Sequence, residues 1–163
     1  MKLALLVLIT TSVFAQEFWK AYPLMSTVEV EKRLRCDQPG ERYEATPLPF
    51  AIEGKLTGVV RKSSPVIQAY LERYQTKHPG KFQMPIRDLM KVYAEEGQFQ
   101  EEGSKRTMWV PLQKATVAKS RLDANARKKL RMYMGAYGCL DGLPMLLSVD
   151  FDAYQESLLR KRK

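Results

Sequence analysis

The chain has 163 residues, 27 Lys or Arg against 18 Asp or Glu, a net charge of +9 at neutral pH, and a hydrophobic fraction of 45%. That length suits one domain with a core of its own, and that apolar content excludes a chain too polar to fold. A single His excludes a His-cluster metal site and any mechanism that needs a pair of imidazoles.

The first fifteen residues read as a leader. Lys2 is followed by an uninterrupted apolar run over 3–9, and Val13 and Ala15 occupy the −3 and −1 positions of a cleavage site before Gln16. This is the charged, apolar, small-residue order of a secretory signal. The run is far shorter than the roughly 20 apolar residues that span a bilayer. No Cys follows the cleavage point, no twin-Arg pair precedes the run, and no later window is apolar enough to cross a membrane. The expectation is an exported protein, periplasmic or extracellular, whose mature part 16–163 is a single α+β domain with a frayed basic C-terminal tail.

In an oxidising compartment Cys36 and Cys139 are expected to form a disulfide. It would close a loop of roughly 100 residues, a constraint of about 4–5 kcal/mol in the chain-entropy account. Neither Cys has a His or another Cys at metal-ligand spacing, so no zinc site, and no cofactor, is indicated.

Residues 16–25, with Phe18, Trp19, Tyr22 and Pro23, predict an irregular arm. In 27–36, Val28, Val30, Leu34 and Cys36 alternate with charged residues, which predicts a strand. Ser26 and Glu29 have the spacing of a helix capping box, which argues the other way. The four alternating apolar positions decide for the strand. Segments 50–52 and 55–61 predict a weak hairpin around Glu53-Gly54. Ser64 and Pro65 open a helix with Ile67, Tyr70, Leu71 and Tyr74 on one face, closed by His78-Pro79-Gly80. Pro85 opens a second helix reaching Gly97, and 98–105 reads as an exposed loop. Residues 107–112 predict a strand that Pro111 confines to an edge. Asp123 is placed to cap a third helix, 124–137, with Ala126, Leu130, Tyr133, Met134 and Tyr137 as its apolar stripe. Asp141-Gly142 predicts a turn, 145–151 a buried strand, and Asp152 with Gln155 the start of a last helix. The fold class is therefore α+β, about four helices packed on a small, mainly antiparallel sheet.

Charge is the most informative bulk property. The stretch 104–131 holds nine basic residues and only one acid, Asp123, whereas the rest of the mature chain is balanced. On the predicted third helix, Arg127, Lys128 and Arg131 fall on the side away from the apolar stripe. Lys105, Arg106, Lys119 and Arg121 precede them, and these seven are the candidate anion-binding residues. Outside the cytoplasm the fitting partners are an anionic macromolecule or envelope component, or one specific protein. Nothing specifies nucleic acid.

Motifs for nucleophilic, phosphate-binding or metal-dependent catalysis are absent. His78 sits at a helix exit with no nucleophile nearby in sequence, which suits capping. The remaining chemistry is carboxylate pairs: Glu95 and Glu96, Glu101 and Glu102, Asp150 and Asp152. The leading reading is a non-enzymatic exported interaction protein that uses 105–131 to bind an anionic partner. The rival is a small secreted hydrolase acting on an anionic envelope polymer through one of those pairs. A third reading is an inhibitor or immunity-type protein that blocks one enzyme.

Overall fold

The computed structural model of the chain describes residues 21–125 and 127–153, with side chains among them up to Val149. The expected signal segment 1–15, the first part of the arm, and the predicted helix and frayed tail beyond 153 lie outside the described residues.

The first element is a helix, α1 (Thr27–Leu34), where alternation predicted a strand. The capping box is complete: Ser26 accepts from the Glu29 amide, and the Glu29 carboxylate accepts from the Ser26 amide at 2.7 Å. The α1 stripe that packs inward is Thr27, Val30 and Leu34, and Val28 stays 56% exposed, so the alternation was incidental. Arg35 ends the helix in the left-handed region at φ 56°, and the Cys36 amide donates back to Glu31 at 2.9 Å.

The expected hairpin at 50–61 is one continuous strand, β1 (Arg42–Lys62), of 21 residues. Its first half pairs antiparallel with β4 (Leu130–Leu140), and its second half with β2 (Glu95–Glu101). Gly54 sits at the handover, in register with both Leu130 and Glu101. A Cβ there would lie 2.2 Å from the Gln100 carbonyl, so only Gly lets β1 and β2 come this close. The arm reaches β1 as well, with Met25 donating to the Ala51 carbonyl at 2.9 Å.

Helix α2 (Pro65–Lys77) forms as expected, capped by Ser64 and closed at His78. Helix α3 (Ile86–Val92) is shorter than expected, because the chain turns into β2 at Glu95. The predicted exposed loop is mostly β2, with Glu96, Gly97, Phe99 and Glu101 buried. Strand β3 (Thr107–Leu112) is an edge strand, as Pro111 implied. The predicted helix over 124–137 is not there. The helix comes earlier, as α4 (Lys114–Asn125), and 130–140 is β4. Asp123 lies buried near the end of α4 instead of capping a start. The Asp141-Gly142 turn joins β4 to β5 (Leu143–Ala153), both residues with positive φ as in a two-residue hairpin.

The five antiparallel strands lie in the order β3-β2-β1-β4-β5 and, with four helices among the described residues, make an α+β fold dominated by its sheet. Both faces are covered. On one, Val30 and Leu34 of α1 and Val117 of α4 pack on Phe50, Ile52, Phe99, Leu112 and Met132. On the other, Tyr70, Leu71 and Tyr74 of α2 and Ile86 of α3 pack with Tyr93 and Leu147. Removing a fully buried ring such as Phe50 by substitution with Ala would cost about 3–5 kcal/mol. The Cys36–Cys139 disulfide forms, with Cα atoms 5.4 Å apart, and pins the end of α1 to β4.

The sheet curls until its edges meet at one end. Ser148 Oγ of β5 donates to the Pro111 carbonyl of β3 at 2.6 Å, and Gln113 Nε2 donates to the Val149 carbonyl at 2.9 Å. Side chains, rather than a backbone ladder, join β3 to β5 there.

Candidate functional site

The basic stretch is dispersed over a strand, a helix and two loops. Much of its charge meets carboxylates from elsewhere. Arg106 pairs with Glu31 of α1 at 3.0 Å, Arg121 with Glu95 at 3.5 Å, and Lys128 with Asp123 at 3.5 Å. Lys129 pairs with Glu53 and Glu102, and Arg131 with Glu53. Arg127, Lys128 and Arg131 therefore do not share a helix face, which corrects the sequence expectation. Arg127 ends α4, Lys128 folds back on that helix, and Arg131 lies in β4 against β1. The acids that balance the chain in sequence lie beside the cations in space. Lys105, Lys114 and Arg127 are exposed and make no ion pair among the described residues, while Lys119 is exposed and has a contact.

Arg127 has the most specific setting. Its φ of 50° places it in the left-handed region, its amide donates to the Ala124 carbonyl, and the Lys128 amide donates to Asp123. This is the Schellman end of a helix, where Gly is the usual residue. The turn carries Arg127 to a cavity of about 280 Å³ that Lys55, Lys129, Gly103 and Ser104 also line. Gly54 and Gln100 also line it, at the point where β1 passes from β4 to β2.

The carboxylates do not assemble into a catalytic pair among the described side chains. Glu95 and Glu96 are neighbours on a strand and point to opposite faces. Glu96 is fully buried, accepting from Arg61 Nε at 2.6 Å and from the Ser64 amide at 3.2 Å. Both oxygens of Glu101 are engaged by Thr27, one by its amide at 3.0 Å and the other by its hydroxyl, so this carboxylate serves the start of α1. Glu102, which also borders the 280 Å³ cavity, is neutralised by Lys129. Asp150 and Asp152 lie along β5, and their side chains fall outside the described residues. His78 caps α2 through its amide, and its ring packs 5.0 Å from Tyr74. No group of His, Cys, Asp and Glu able to hold a metal ion occurs among the described residues.

A second concavity, of about 440 Å³, opens between β3 and β5 where the two edges diverge. Its notable member is Arg61, whose guanidinium lies 3.9 Å above the Trp109 ring. The sequence reading did not single out Arg61, because its setting depends on β1 running unbroken past Gly54.

Comparison with protein-family models, with curated proteins and with solved structures returns no match. The fold and its cavities therefore define a class only: a disulfide-linked α+β domain with two surface concavities, one lined by Lys55, Arg127 and Lys129 together with Glu101 and Glu102, the other mainly apolar with ion-paired residues at its walls. No helix among the described residues is long and apolar enough to cross a membrane.

Proposed function

We propose that this is an exported, non-enzymatic interaction protein that holds an anionic group of its partner in the cavity bounded by Lys55, Arg127 and Lys129. The observation that carries the reading is the convergence of those three cations, from β1 and the approach to β4, on one concave site whose two carboxylates are already engaged, Glu101 by Thr27 and Glu102 by Lys129, which leaves Lys55 and Arg127 as its charges without an ion pair among the described residues. Arg127 supports it further, since it is exposed and lacks an ion pair among the described residues. Lys105 lies in the same β2–β3 connection as Gly103 and Ser104, and adds to the local field. The leader and the disulfide both suit export to an oxidising compartment, where anionic envelope lipids, cell-wall polymers and acidic proteins are at hand.

The hydrolase alternative needs two carboxylates free to exchange protons, and Glu95, Glu96, Glu101 and Glu102 are each engaged with a different partner. The reading is tested by titrating the purified mature chain with inorganic polyphosphate, anionic vesicles and cell-wall fragments at rising salt. Binding to at least one ligand that weakens steeply with salt is expected. Absence of binding to all of them at low salt contradicts it.

A further inference from the structure

We propose that the cleft between the open edges of β3 and β5 takes an extended segment of a partner polypeptide as an added strand, with an acidic side chain of that segment gripped by Arg61.

The edges converge at Pro111 and Ser148 and diverge toward Thr107 and Leu143, leaving the concavity of about 440 Å³ between them. That volume is within the ordinary range of ligand sites. Pro111 turns its carbonyl toward β5, and the Glu101 amide takes the Arg106 carbonyl on the β2 side. Backbone direction alternates along a strand, so Thr107 and Trp109 present their amide and carbonyl groups to the cleft, and Pro111, which has no N–H, presents its carbonyl alone. An unpaired edge of this kind is a template for one more strand. The cleft is lined by Thr27 and Glu31 of α1 and by Val66 and Ile67 of α2, so side chains of an inserted strand would alternate between them. The walls they meet are mainly apolar, with Met108, Val66, Leu143 and Met145; of the carboxylates that also line the cleft, Glu31 is paired with Arg106 and Glu96 with Arg61, and Asp141 lies in the β4–β5 turn. Val66 is 51% and Leu143 64% exposed, with nothing described covering them.

Arg61 supplies the charge selection. Its Nε is committed to the fully buried Glu96, and its plane rests on Trp109. Neither Nη has a hydrogen-bond partner among the described residues. The side chain is 46% exposed and borders the cleft. A guanidinium fixed at Nε and stacked on an indole is pre-organised to take a carboxylate at its outer edge. The occupant is thus an extended segment with an acidic residue among apolar ones. This site is separate from the basic cavity, and neither reading depends on the other.

The test is selection of short random peptides, displayed without a free carboxyl terminus, on the full mature chain. The expected winners carry Glu or Asp flanked by apolar β-branched residues, and perturb the Thr107 and Trp109 backbone amides in NMR spectra. Arg61→Lys keeps a charge beside Glu96 but loses the fork, and is expected to weaken the selected peptide about tenfold or more. Leu143→Asp, at an exposed position, should do the same by repulsion, whereas Arg127→Glu should leave the peptide unaffected. Failure to select any peptide, winners without an acidic residue, or affinity unchanged in both cleft variants with normal melting temperatures would overturn the proposal.

Discussion

The Ser148 hydroxyl of β5 donates to the carbonyl of Pro111 in β3 at 2.6 Å, and so closes the open ends of a five-stranded sheet onto each other. Both groups are buried, and the Tyr93 hydroxyl adds a bond to the Ser148 carbonyl at 2.6 Å. Ser148→Ala leaves the Pro111 carbonyl without this donor. It is expected to lower unfolding stability by about 1–3 kcal/mol, measured by denaturant titration. An unchanged midpoint would mean that the edges are held by packing alone.

The disulfide links the exit of α1 to a buried position in β4, and the chain has no other Cys. Non-reducing intact mass should show no free thiol. The double variant Cys36→Ser, Cys139→Ser is expected to lose about 2–5 kcal/mol, read as a fall in melting temperature. Reduction of the wild type should expose two thiols and bring its melting temperature down to about that of the variant.

Arg35 and Arg127 end α1 and α4 in the same left-handed conformation, at φ 56° and φ 50°. A residue with a Cβ is strained there by roughly 1 kcal/mol relative to Gly. Arg35→Gly and Arg127→Gly are both expected to raise the melting temperature slightly. Only Arg127→Gly should also weaken polyanion binding.

Burial holds the Tyr70 hydroxyl well above its ordinary range and pushes Tyr137 up to about 12, with smaller upward shifts from burial at Tyr74 and Tyr93. A raised pKa in the folded state means that the fold keeps protons the unfolded chain releases. The stabilisation is complete below about pH 10, the ordinary tyrosine value, and is lost as pH climbs through the folded values. Tyrosinate absorbance should rise in one step with loss of near-ultraviolet circular dichroism. Gradual ionisation of these tyrosines without unfolding would contradict the buried aromatic cluster.

The sequence was most legible where one local signal stood alone. Ser64-Pro65 opens α2, Pro111 marks an edge strand, Asp141-Gly142 makes a hairpin, and the cysteines pair. It misled where two signals overlapped. Strand β4 is buried on both faces, Met132 and Met134 toward one cluster and Tyr137 toward the other, so its apolar residues also fit a helical stripe. Helix α4 buries Val117, Ser120 and Asp123, a stripe without apolar periodicity, and passed unseen. In β2 the buried Glu96 and Glu101 look like loop residues because their partners, Arg61 and Thr27, are far off in sequence. The same long-range pairing disperses the basic stretch, which local counting cannot register.

The central claim is that an anionic group sits among Lys55, Arg127 and Lys129. Charge reversal at Arg131 is a poor probe, because Arg131 is bonded to Glu53 and the change would set two carboxylates against each other. Lys55 and Arg127 are exposed and make no ion pair among the described residues. The direct measurement is the salt dependence of inorganic polyphosphate binding by the wild type and by the Lys55→Glu, Arg127→Glu variant. The account predicts a shallower salt slope and an affinity at least about tenfold weaker in the variant, with an unchanged melting temperature. Equal slopes and affinities in the two proteins would contradict it.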